Sequence, residues 1–62
     1  MKREELVRHL RAHTCELLRE GGRHSRWHNP QLNKRLAVQR HKEIRDQLAK
    51  KICKDLGVPS IK

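Results

Sequence analysis

One aromatic side chain, Trp27, is all this chain offers as the centre of a core, since Phe and Tyr are absent. A chain of 62 residues buries only about 60% of its unfolded surface on folding. The thin core must gather around Trp27, so the strand or helix face that carries it must be the inner one. The surrounding stretch, "RHSRWH" at 23–28, alternates in the manner of a strand. Ser25 and Trp27 point one way; His24, Arg26 and His28 point the other. With Trp27 inside, those three basic residues lie on the open face.

The flanking segments supply the cover. "REELVRHLRAH" at 3–13 carries Leu6, Val7 and Leu10 at helical spacing, with Glu4 and Glu5 in the first turn and His13 in the last. This helix ends near Thr14, where a β-branched residue makes a poor left-handed cap, so the end is weakly specified. "CELLR" at 15–19 reads as a short strand with Cys15 and Leu17 on one face, followed by a Gly21-Gly22 turn. "NPQLN" is the next turn, marked by Pro30 and Asn33. "KRLAV" at 34–38 places Leu36 and Val38 inward. Past the connector "QRHKEIR", Asp46 is a candidate N-cap. From there Leu48, Ala49, Ile52, Cys53 and Leu56 form one helical stripe, opposite Lys50, Lys51 and Lys54. Gly57 and Pro59 end that helix.

The order is α-β-β-β-α, within one domain spanning 1–62. Consecutive short strands with tight turns make an antiparallel meander, and two amphipathic helices cover its apolar face. The expected fold is α+β: a three-stranded antiparallel sheet with both helices on one side. Its predicted core is Leu6, Val7, Leu10, Cys15, Leu17, Trp27, Leu36, Val38, Ile44, Leu48, Ile52 and Leu56.

The chain has 16 Lys and Arg against 7 Asp and Glu, a formal charge of +9. Such a balance suits a polyanionic partner. Arg23, Arg26, Arg35, Arg40 and Lys42 are the candidate phosphate contacts around the hairpin, with Lys50, Lys51 and Lys54 beyond them; the plain alternative is a solvated cationic surface. A single buried aromatic leaves no stacking platform for single-stranded bases. Backbone and shape reading, as in double-stranded RNA-binding modules, fits better. No apolar run spans a bilayer and the N-terminus lacks the apolar stretch of a signal peptide, so no membrane partner and a cytoplasmic location are expected. The apolar stripe of the last helix is needed for the core, which argues against docking to a membrane surface.

Other chemistries find little support. Cys15 and Cys53 are distant in sequence, lack a CxxC pattern and fall on core faces, so neither reads as a nucleophile. They form a disulfide only if the fold joins them. There is no phosphate-cradling glycine loop and no carboxylate pair, and no cofactor is expected. Among the five histidines, His9 and His13 share a helix face but have no evident third ligand, whereas structural zinc takes four. His24 and His28 lie about 13 Å apart on a strand, at ~3.3 Å per residue, too far for one metal. No metal site is expected.

His24 stands out by its neighbours, Arg23 and Arg26, and by the glycine pair before it. A neutral imidazole can take the proton of a ribose 2′-OH while arginines hold the phosphate and its developing charge. That is RNA cleavage without a metal, leaving a cyclic phosphate and a free 5′-OH. His28 and His41 are candidates for a second proton carrier only if the fold brings them near His24, and His28 lies far along its strand. A non-catalytic RNA- or DNA-binding module shares the same charge and fold, and a purely structural partner-binding domain is a third reading.

Residues 3–58 resemble the HicA-type toxins, the small ribonuclease components of HicAB toxin–antitoxin pairs. The resemblance rests on "KREELVRHLRAH", "GGRHSRWHNP", "VQRHKEI" and "LAKKICKDLGVP". It implies a double-stranded RNA-binding-like αβββα fold, metal-independent cleavage of mRNA, and inhibition by a HicB-type antitoxin. The family pattern of a glycine, a histidine two residues on, an aromatic and a proline turn falls here on Gly22, His24, Trp27 and Pro30, which makes His24 the implied catalytic residue. The chain departs from that pattern at Arg23 (commonly serine), Ser25 (commonly a second histidine), Gln39 (usually proline) and Thr14 (usually glycine).

Overall fold

A computed structural model describes residues 1–61. Its elements are α1 (Arg3–Ala12), β1 (Glu16–Glu20), β2 (His24–Asn29), β3 (Lys34–Gln39) and α2 (Asp46–Leu56). The strands form one antiparallel sheet in the order β1-β2-β3. Ser25 and Trp27 of β2 and Val38 of β3 are buried, while His24, Arg26, Ala37 and Gln39 are exposed. Leu6 and Leu10 of α1 and Ala49, Ile52, Cys53 and Leu56 of α2 join Trp27 and Val38 in one buried cluster. Both helices therefore cover the Trp27 face and leave the other face open, as the alternation of "RHSRWH" requires.

Both helices end in the same way. Cys15 N donates to Leu10 O (2.9 Å) and Thr14 N to Arg11 O (3.2 Å) after α1; Val58 N donates to Cys53 O (2.9 Å) and Gly57 N to Lys54 O (3.1 Å) after α2. This is the Schellman pairing, which needs a left-handed residue at its turn. Gly57 supplies it after α2 with φ 74°, and Thr14 supplies it after α1 with φ 69°. The weak helix end expected at Thr14 is thus a fully formed stop, held by buried Cys15 against buried Leu10. Asn33, with φ 54°, takes the left-handed position of the β2–β3 turn. Asn29 anchors that turn: its Oδ1 accepts from Gln31 N (3.1 Å) and its buried Nδ2 donates to Leu56 O (2.8 Å).

Two expectations need correction. Leu17 is not core: it is 36% exposed, and all of β1 is exposed. It pairs with Trp27 on the helix side, but in the edge strand of the sheet. Asp46 is not the N-cap of α2. Arg45, extended at φ −62° and ψ 141°, holds that position without a side-chain cap, and Arg45 O accepts from Ala49 N (2.9 Å). Asp46 is instead the first helical residue, where its charge still suits the helix dipole. Val7, Leu36 and Leu48 pack only partly buried at the core's margin.

Candidate nucleic-acid interface

The register sets the open face in three rows. His24 lies opposite Gln39; Arg26 lies between Arg19 and Ala37; His28 lies between Glu16 and Arg35. Arg19 reaches this face because of a bulge between Leu17 and Arg19. Strict alternation would have put it on the Cys15–Leu17 side; the extra residue in β1 returns it to the open side. The only sequence hint is the doublet Leu17-Leu18 in a strand that should alternate. Arg19 is thus a face cation that sequence reasoning missed.

His24 is exposed and borders two clefts of about 540 and 550 Å³. Arg23, Gln39, Arg40 and His41 line the first with it; Arg19, Glu20, Arg23, Arg26 and Ala37 line the second. The fold therefore brings Arg23, Arg26 and Arg40 to His24, and adds Arg19 and His41. Arg35 lies at the far end of the face, opposite His28. Lys42 lines a separate depression with Lys2, Arg3, Glu4 and Glu43, joined to the His24 cleft only through Arg40. His28 is half-buried with its Nε2 3.7 Å from Glu16 Oε2, outside both His24 clefts.

The hairpin that presents His24 is braced from behind. Fully buried Ser25 donates to Glu20 Oε1 (2.8 Å) and accepts from Arg3 Nη2 (3.0 Å). Arg40 Nη2 lies 3.2 Å from Glu20 Oε2, and Arg40 Nη1 donates to Gly21 O (3.0 Å). Gly21 N donates to His24 O (2.8 Å), an approach so close that a Cβ on Gly21 would stand 2.8 Å from the same oxygen. The glycine is needed here for space rather than for a left-handed turn. Helix α1, both strands of the hairpin and the residue after β3 thus converge on the hairpin residues Glu20, Gly21 and Ser25 that flank His24. Arg40 has a structural duty alongside its place in the cleft.

The remaining candidates lie elsewhere. His9 Nε2 donates to Pro59 O (2.7 Å), and its ring meets that of His13 at 4.6 Å. Among the described residues, no three His, Cys, Asp or Glu side chains gather as a metal site. Cys15 and Cys53 are free and buried, and burial pushes both thiols above their ordinary range, Cys15 further by its neighbour Cys53. No helix among the described residues is long and apolar enough to cross a membrane.

These features define a class: a small αβββα protein that turns an open, cationic, histidine-bearing sheet face to its surroundings. Residues 3–58 match the family model of the HicA toxin of bacterial toxin–antitoxin systems. The chain belongs to this family and is accordingly a toxin of a toxin–antitoxin system, with an antitoxin as its partner. Comparison with curated proteins and with solved structures returned no match.

Proposed function

We propose that this toxin is an endoribonuclease that cleaves mRNA in the cytoplasm without a metal ion, with His24 as its catalytic histidine. The observation that carries the reading is the position of His24: exposed between two arginine-lined clefts on a hairpin held from behind by Ser25, Glu20, Gly21 and Arg40. His24 takes the proton of the ribose 2′-OH, the 2′ oxygen bonds to phosphorus as the bond from phosphorus to the 5′ oxygen breaks and that oxygen leaves as a hydroxyl, and Arg23, Arg26 and Arg19 stabilise the charge that grows on the phosphate. Burial of Ser25 and Trp27 on the opposite side of the strand fixes the backbone from which His24 projects. The net charge of +9 draws RNA to this face. A HicB-type antitoxin silences the toxin by covering it, and an acidic contact patch on that partner speeds the encounter.

The test is incubation of purified protein with mRNA in the presence of EDTA, followed by analysis of the new ends. The reading expects 2′,3′-cyclic phosphates and 5′-hydroxyls. RNA that is bound but left intact refutes it and makes this copy a binding module of the same fold.

A further inference from the structure

Transesterification needs two proton carriers: one to deprotonate the 2′-OH, another to protonate the departing 5′ oxygen. The endoribonuclease reading assigns only the first. We infer that His41 is the second, the general acid opposite His24; this rests on that reading. His41 is exposed and lines the same 540 Å³ cleft as His24, together with Arg23, Gln39 and Arg40. Three features set its place. Gln39 ends β3 directly opposite His24. Arg40 N donates to Arg23 O (3.3 Å), and the Arg40 guanidinium turns to Glu20 and Gly21, which ties the chain to the hairpin just before His41. His41 then follows at the cleft wall. The other imidazole of the open face, His28, faces Glu16 and does not line the cleft. Arg23 and Arg40 line this cleft with the two histidines, and Arg23 also lines the neighbouring cleft that Arg19 and Arg26 share with His24.

His24 accepts the 2′-OH proton. The 2′ oxygen bonds to phosphorus, and the bond from phosphorus to the 5′ oxygen breaks. His41, entering as imidazolium, gives its proton to that oxygen. The products are a 2′,3′-cyclic phosphate and a 5′-hydroxyl, with no co-reactant.

A sulfur leaving group needs no proton, which separates the two roles. The probe is an oligoribonucleotide that the parent protein cuts, prepared with oxygen or with sulfur at the 5′ bridging position of the scissile linkage. His41→Ala should slow cleavage of the oxygen linkage by about 100-fold or more and cut the sulfur linkage at nearly the parent rate. His24→Ala should be slow on both. Because His41 is exposed, its removal leaves the fold intact, which circular dichroism checks. The inference is overturned if His41→Ala cuts the oxygen linkage at close to the parent rate, or loses both linkages equally. If the parent cuts no RNA at all, the nuclease reading itself falls, and the inference with it.

Discussion

Replacing Thr14 by glycine should stabilise this protein. Thr14 sits at φ 69°, a conformation the Schellman turn after α1 demands. For an L-residue that region costs roughly 1–2 kcal/mol, and a β-branched side chain is the least suited to it. Among the described residues nothing tertiary is lost with the side chain: Thr14 is exposed, and its hydroxyl bonds the neighbouring His13 carbonyl. Glycine brings greater freedom to the unfolded chain, a cost of roughly 0.5–1 kcal/mol. The net gain is about 1 kcal/mol, which for a domain of this size raises Tm by roughly 4–8 °C. Thermal unfolding followed by far-UV circular dichroism measures it. Gly57→Ala is the opposing control. It meets the same left-handed requirement at φ 74°, and its Cβ would run into the Leu32 side chain, so Tm should fall. If Thr14→Gly leaves Tm unchanged or lowers it, the claim that backbone strain is stored at this helix end is wrong.

Three further outcomes follow from the same structure. Asn29→Ala removes the buried bond to Leu56 O and the bond that closes the β2–β3 turn, and should cost about 2–3 kcal/mol in urea unfolding. Arg26→Ala should weaken RNA binding and reduce the slope of log K against log salt by about 0.7–0.9, the signature of one lost phosphate contact; an unchanged slope removes Arg26 from the interface. Both thiols are raised by burial above an ordinary value of 9.0. The unfolded chain therefore releases these protons first as pH rises. The stabilising contribution is complete below the ordinary thiol range and declines above it, so urea midpoints should drop at alkaline pH, and less so in Cys15→Ala/Cys53→Ala.

The element order and the face of each β2 residue were legible because they depend on local signals. One aromatic in an alternating stretch, two apolar stripes at helical spacing, Asn33 in a turn and Gly57 past a helix all act within a few residues. What escaped the sequence depends on partners far along the chain. The bulge in β1 arises from pairing with β2 and moves Arg19 to the open face, while Leu17 is exposed because β1 is the edge strand. Asn29 reads as a turn residue, yet its side chain is spent on a carbonyl 27 positions away. At the candidate site, His24, Arg23 and Arg26 were readable from one hairpin. Arg40 was readable as a cation but not as the brace that holds Glu20 and Gly21. Only the path of the chain after β3 separates His41, at the cleft, from its neighbour Lys42, which lines another depression.

The central claim is that the open face is a metal-free active site built on His24. Its most direct test compares the parent protein with His24→Ala on one mRNA, in EDTA, recording binding and cleavage together. His24 is exposed, so the variant should fold and bind RNA like the parent while cleavage falls by about 100-fold or more. A variant that binds and cuts as well as the parent would contradict the account and place the chemistry elsewhere.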